Sequence, residues 1–388
     1  LVLELSGSVA AVGITVALQF APMLLLGLYG GLIVDRYSKR MLLILTQTVV
    51  GVLSALLAVL AITGLVEVWH IFVIAFLVGM VTVVDNPTRQ VFVNELVGPR
   101  HLRNAISVNS SVFQLGGLIG PALAGVLLVA VGAGWAFAVN AAACVVTVFT
   151  LCQLSTSSLV RSAAMPRSKG QLRQGLVYVL GKPTIFWSIV MVAVLSVFAL
   201  TMPVILSAYA TEVYGVGAAG YGLFNSLVAA GALTGAIAST RRRSVRLRTV
   251  VLMGVCWGVL QAVAGLMTSQ WAFGVLLVAL GIANLLFITA ANSLVQMSSN
   301  IGIRGRVMSL YVLVLLGGQA VGGPLMGWIV ENYGPQTGMT ISGLVPAVAA
   351  VLIGIHLARR GHLRVRVSLQ RHLPVVSIVP QIDGGIPR

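Results

Sequence analysis

Apolar residues run along this chain in long stretches separated by short polar connections. A helix needs roughly 20 mostly apolar residues to cross the hydrocarbon core of a bilayer. By that measure eleven stretches qualify, at roughly 9–34, 41–63, 69–92, 105–130, 135–154, 184–209, 218–240, 249–268, 271–297, 307–330 and 336–358. Each is predicted to be one membrane-spanning helix. Residues 1–8 (LVLELSGS) read as the end of a helix and a turn, so one further helix is expected ahead of them.

The longest polar segment, 155–183, divides the stretches into five before and six after. Within it, Leu172, Leu176, Val179 and Leu180 are spaced as one face of a short amphipathic helix over Gln171 to Leu180, suited to lie on a membrane surface. The organisation predicted is therefore a first transmembrane half (1–154), a linker (155–183), a second half (184–358) and a basic tail (359–388). A shift of 203 positions pairs Arg103 with Arg306, Gly120 with Gly323 and Pro121 with Pro324, and Lys39/Arg40 with Arg242/Arg243. Two halves of six helices, the first short of one, follow from this internal repeat.

Charge orients the stretches. Of the 24 Lys and Arg residues, all but Arg89 lie outside them, and only in alternate connections. The clusters are Arg36/Lys39/Arg40, Arg100/Arg103, the run from Arg161 to Lys182, Arg241 to Arg248, Arg304/Arg306 and the tail. The connections near Glu67, Gly132, Glu212, Ser269 and Glu331 hold none. Cytoplasmic loops collect positive charge, so the basic set, the linker and the tail are expected to be cytoplasmic. A net charge of +16 suggests nucleic acid, but these charges flank apolar spans instead of forming one stripe, which excludes that partner. The tail is expected to be drawn to anionic lipid.

The chain is 58% hydrophobic and 8% charged, with a mean hydropathy of +1.03. Soluble domains carry about 25% charged residues. Cys144, Cys152 and Cys256 lie in apolar stretches without metal or disulfide spacing, and the five His are scattered. Gly-rich segments lack the Lys-Ser/Thr of a phosphate loop. No nucleophile, metal or cofactor site emerges, so the chain is not read as an enzyme, and its energy is expected from an ion gradient or a partner.

Three segments carry candidate chemistry. The first connection reads Gly30-Gly31-Leu-Ile-Val-Asp35-Arg36-Tyr-Ser-Lys39-Arg40. Gly31 permits close helix approach, and Asp35 can pair with an Arg or a helix N-terminus. The second segment, Asp85-Asn86-Pro87-Thr88-Arg89, places an acid about 24 Å along its helix from Trp69, one turn from Arg89 on the same face. Ionisable groups inside membrane helices are costly and commonly functional. Asp85 therefore reads either as a proton or cation site tuned by Arg89, or as an ion pair at the cytoplasmic end. Pro87 removes a hydrogen bond and is expected to bend the helix. The third segment is Gly116-x-x-x-Gly120-Pro121-x-x-Ala124-Gly125, a close-packing row with a bend, whose repeat partner is Gly323-Pro324-x-x-Gly327. Gln19, Asn140, Asn225, Gln261, Asn284, Asn292 and Gln319 are candidate conduit-lining polar groups, with Trp187, Phe198 and Phe287 as apolar contacts.

The first connection resembles the signature loop of the major facilitator superfamily, with Ser38 in place of the usual Gly. The Asp85 to Val93 segment and the stretch from Asn104 to Gly125 resemble the drug and siderophore exporters of that superfamily. Ser107 and Ala124 stand where the exporters' helix motif carries Gly. The resemblance implies an all-α membrane fold of two pseudo-symmetric six-helix halves, in a bacterial inner membrane. It implies alternating access, with Gly31, Asp35, Arg36, Lys39, Arg40 and Glu95 gating the cytoplasmic side. Glu95 would be the acid that Lys39 or Arg40 reaches. The implied activity is proton-coupled export of small amphipathic molecules by a monomer in contact with lipid. A facilitator-type importer of small solutes, a non-transporting membrane scaffold or sensor, and an inactive fragment are the alternatives. The second-half loop Ala238-Ser239-Thr240-Arg241-Arg242-Arg243 lacks the acid, so it reads as orienting charge only.

Overall fold

A computed structural model describes residues 1–154, 171–239, 246–300, 303–360, 363–367 and 376–380. In order, the helices are α1 (Val2–Ser6), α2 (Val9–Arg36), α3 (Lys39–Ile62), α4 (Val68–Val131), α5 (Ala133–Gln153), α6 (Gln171–Leu180), α7 (Pro183–Phe198), α8 (Met202–Ala208), α9 (Gly217–Ser239), α10 (Leu247–Ala264), α11 (Gln270–Ser298), α12 (Arg304–Tyr333) and α13 (Pro335–Arg360). A π-helical turn, Tyr209–Val213, extends α8. Among the described residues, ten helical segments are long and apolar enough to cross a membrane. The loop Arg241–Arg243 and most of the linker lie outside the described residues.

The helix ends follow local chemistry. The Ser8 hydroxyl accepts from the Ala11 N–H at 3.2 Å and caps α2. Gly7 (φ 64°) ends α1, a left-handed geometry that costs glycine little. Gly132 (φ 85°, ψ 168°) and Gly334 (φ 86°, ψ 160°) each stop one long helix and start the next. They stand at nearly the repeat spacing, so the internal symmetry appears in the backbone as well as in the residues.

Two sequence expectations change. The spans at 69–92 and 105–130 were to be separated by a non-helical loop, whereas helical hydrogen bonding runs throughout α4. The chain must still reverse there. Glu95 lies at the Lys39 end of α3, while Gly134 lies against Ile62 and Ala58 at the other end. A straight helix from Glu95 to Val131 would run about 54 Å away from that contact. The reversal therefore falls inside the helical stretch. Gly98-Pro99 is the step there least able to hold a regular ladder, since proline has no N–H.

The second change is in 184–209, which remains one apolar crossing, Pro183–Val213, but whose helix is interrupted at Ala199–Thr201 between α7 and α8. Pro203 at the start of α8 supplies no N–H to the preceding turn. The tail also departs from a plain flank: Leu363–Val367 and Val376–Pro380 pair antiparallel, Leu363 opposite Pro380. The alternation Leu-Arg-Val-Arg-Val has the period of a strand.

Helix α6 forms over the predicted residues and docks on the α11–α12 connection. Tyr178 Oη accepts from Asn300 N at 3.1 Å, and Gln174 Oε1 accepts from Arg306. Leu176 and Leu180 stay exposed on its surface.

The two halves are packed differently. The second half holds a continuous core around fully buried Trp257, Tyr209, Tyr311, Phe224, Phe273 and Phe287. The Tyr209 and Phe273 rings stack with centroids 4.6 Å apart. Among the described residues the first half shows smaller clusters around Leu53, Leu57, Ile71 and Ile74, and around Leu43, Phe92 and Leu151. Leu25, Leu56, Phe149, Val275 and Leu352 remain exposed, as expected of side chains facing lipid.

Candidate functional site: a buried carboxylate and a seam between the halves

Asp85 sits on the inner face of α4 against α3, 9% exposed. Its Oδ1 accepts from Thr46 Oγ1 at 2.7 Å and from Gln47 Nε2 at 3.0 Å. Its Oδ2 lies 2.5 Å from Arg89 Nε, the pairing expected of residues four apart on a helix. Arg89 reaches outward, with its side chain 52% exposed. Three donors thus converge on one carboxylate in an apolar span. A burial cost of several kcal/mol for an ion is offset only when it is paired and hydrogen-bonded in this way. Thr46 and Gln47 escaped the sequence reading. The available signal was a polar triplet, Thr46-Gln47-Thr48, interrupting an otherwise apolar stretch.

Beyond Asp85, the connection between α2 and α3 is a two-residue turn, Tyr37-Ser38. Asp35 and Arg36 therefore complete α2, while Lys39 and Arg40 begin α3. Lys39 Nζ lies 3.9 Å from Glu95 Oε1, and Glu95 is buried. Arg40 turns elsewhere: its Nε donates to Leu151 O and its Nη2 to Cys152 O, both at 2.7 Å. It satisfies carbonyls at the C-terminal end of α5, where a cation also complements the helix dipole. Arg36 is exposed. The side chains of Gly31, Asp35, Pro121 and Gly125 lie outside the described residues.

The glycine rows behave oppositely. At Gly116 and Gly120 an added Cβ would find nothing within 4 Å. The close packing expected of that row is not made among the described residues, because both positions face open space. Its repeat partner does form a seam. A Cβ at Gly323 would lie 2.6 Å from Gly13 O, and one at Gly327 would lie 3.1 Å from Ala10 Cα. A Cβ at Gly13 would collide with Gly323 O. Pro324 stays within α12. Helices α2 and α12, from different halves, thus touch backbone to backbone.

At the end of this seam that lacks basic residues, Glu331 Oε2 accepts from Ser8 Oγ and Ala10 N, each at 2.6 Å. An acid of the second half therefore caps the first turn of a first-half helix, where the dipole favours negative charge. The sequence signal was a lone acid at a span end, too common to single out. Glu331→Ala is expected to loosen this end. A flexible bifunctional maleimide bridging Leu5→Cys and Asn332→Cys, which leaves Ser8 in place, should then react at least about fivefold more slowly, from the loss of about 1 kcal/mol of capping. Unchanged bridging would show that the glycine seam suffices.

Other candidates scatter. Asn140 Nδ2 donates to Ser54 Oγ at 2.8 Å, joining α5 to α3. Gln261 Nε2 donates to Ser342 Oγ at 2.7 Å, and Asn292 Oδ1 accepts from Gln296 at 2.5 Å. The backbone carbonyl of Gln19 lies at the α2–α4 crossing against Gly79. Phe287 packs in the second-half core and Trp187 lies 5.1 Å from His356 between ring centroids. Phe198 packs at the edge of that core. Asn225 and Asn284 do line a cavity, within the second half. No group of three or more His, Cys, Asp or Glu that could hold a metal occurs among the described residues.

Repeated helical halves, a small-residue seam between them and a buried carboxylate in a span define a membrane transporter of the major facilitator fold. The chain belongs to the transmembrane secretion effector family of that superfamily, whose sequence model matches residues 1–382. It is similar to the major facilitator-type transporter YfiS of Bacillus subtilis, 23% identical over 86% of this chain and 80% of that protein. It is similar to the enterobactin exporter EntS of Citrobacter koseri, 26% identical over 91% of this chain and 84% of that protein. In fold it matches a bacterial homologue of the human lysosomal transporter Spinster, with a TM-score of 0.72 at 15% identity, over 92% of this chain and 90% of that one. The nucleoside transporter NupG matches with a TM-score of 0.69 at 13% identity, over 90% and 91%.

Proposed function

We propose that this protein exports amphipathic, drug-like or siderophore-like small molecules across a bacterial inner membrane, in exchange for protons, by alternating access. The observation that carries the reading is Asp85, a carboxylate buried in a span and held by Thr46, Gln47 and Arg89. A proton arriving there would cancel the charge that holds Arg89. That gives α3 and α4 two alternative arrangements at the end of the first half that carries the basic connections. The names of the EntS relatives support the siderophore-like class. On this reading the α2–α12 seam and the Glu331 cap close the opposite, outer end, a role their backbone contact and hydrogen bond support. The Lys39–Glu95 pair ties α3 to α4 on the cytoplasmic side and takes part in the gate with the Gly31–Arg40 segment. The protein acts as a monomer, with lipid against its exposed apolar faces and with linker and tail in the cytoplasm.

The test uses inside-out membrane vesicles containing the full chain. With an acidic interior, a catecholate siderophore or a cationic dye should accumulate in the vesicles. A protonophore should abolish that accumulation. Accumulation that persists without a proton gradient would remove proton coupling, and accumulation under the opposite gradient would indicate import.

A further inference from the structure

A cavity of about 180 Å³ lies between α7, α8, α9, α10 and α11, all elements of the second half. The α7–α8 break forms part of its wall, through Ala199 and Leu200. Interrupted helices are tolerated in a membrane where the freed backbone lines a cavity. Its remaining walls are mostly apolar, with Leu206, Val228 and Leu280. Three polar side chains break that surface: Asn225, whose Nδ2 donates to Tyr221 O at 2.9 Å, Trp257 and Asn284. Trp257 is 1% exposed, and its Nε1–H has no hydrogen-bond partner. Asn284 Oδ1 is buried and likewise unpartnered. Both residues line the cavity.

An unpaired donor or acceptor in such surroundings is costly, because its hydration is lost and nothing replaces it. Here a donor and an acceptor are left unpaired on two residues of the same cavity wall. The lining contains no charged side chain. A charged ligand would therefore lose its hydration without gaining a counterion. An apolar cavity of about 150 Å³ accommodates benzene. From volume, wall chemistry and the open donor and acceptor, we infer that this cavity binds a neutral, single-ring hydroxyl compound, a phenol. The phenol oxygen accepts from Trp257 Nε1–H, its O–H donates to Asn284 Oδ1, and its ring lies against Leu200, Leu206, Val228 and Leu280. As part of a transport cycle the cavity anchors the aromatic end of a substrate in the second half, a use that rests on the transport reading. Binding itself does not depend on it.

The experiment is equilibrium dialysis of radiolabelled phenol against the purified full chain in detergent, with toluene as competitor. Phenol should saturate at one per chain, and toluene, which has the same shape but no hydroxyl, should compete at least about tenfold more weakly. Trp257→Phe keeps a ring but lacks the donor, so it should erase most of that preference while toluene still binds. If Trp257→Phe does not fold, Asn284→Leu provides the same comparison. Absence of saturable phenol binding would show that the cavity holds ordered water only and would overturn the inference. So would equal competition by toluene, or a preference unchanged in the variants. Failure here with proton-driven accumulation in vesicles intact would reject the cavity and leave transport standing. Binding without accumulation would do the reverse.

Discussion

Asp85→Asn is expected to abolish uphill export, lowering proton-driven accumulation at least about tenfold, while substrate exchange down its own gradient continues. The argument begins with what Asn preserves. Its side-chain oxygen can still accept from Thr46 and Gln47, which hold Oδ1 at 2.7 and 3.0 Å. Its amide, however, places donors where Oδ2 met Arg89. Arg89 is half exposed and can turn to water, so the loss of the pair is a modest stability change and the chain should still fold. What disappears is a group whose charge changes on taking up a proton. A ligand or proton shifts a conformational equilibrium only through its different affinity for the two states. Without a titrating group, the proton gradient has no hold on the cycle at this site. Asp85→Glu should retain coupling in part, because charge survives although the three-donor geometry is disturbed. Wild-type accumulation in Asp85→Asn would assign the residue to a structural ion pair at the cytoplasmic end and move proton coupling elsewhere.

Gly323→Val should have the second large effect, loss of transport together with opening of the outer seam. A Cβ there lies 2.6 Å from Gly13 O and 3.1 Å from Val16 Cβ. The first neighbour is backbone and cannot rotate away. Overpacking of this kind costs about 1–3 kcal/mol, and a branched side chain adds to it. In a bilayer no hydrophobic force between helices compensates, since lipid is as apolar as the neighbouring helix. The α2–α12 contact should part. A cysteine placed at Val16 would become reactive to an impermeant maleimide added outside cells, by at least about tenfold. Gly116→Val provides the contrast, because nothing lies within 4 Å of that position. It should leave both transport and labelling near wild type. Equal effects from the two substitutions would mean that the seam is not what closes the outer side.

These two predictions show where local sequence and tertiary structure divide. The pairing of Asp85 with Arg89 was legible because helical spacing alone places residues four apart on one face. That Glu95 meets Lys39 or Arg40 was implied by the family resemblance, with Glu95 as the candidate acid, and the structure selects Lys39. Helix α6 was legible from its apolar spacing over ten residues. The glycine rows were not: Gly116/Gly120 and Gly323/Gly327 look alike as strings, yet one faces open space and the other meets Gly13 and Ala10. Small residues permit close approach without specifying a partner, so the choice belongs to the packing.

By itself the sequence determined that the chain is built of many long apolar passes, that basic residues gather in alternate connections, and that an acid lies within a span. Those follow from bilayer thickness, charge asymmetry and helical periodicity, all local along the chain. Only the tertiary structure decided that Thr46 and Gln47 complete the site of Asp85, and that Arg40 serves α5 instead of Glu95. It also decided that Glu331 caps a helix more than three hundred residues away. Helix periodicity says which face a residue occupies. Which neighbour that face meets depends on contacts between segments remote in sequence, and no local pattern encodes those.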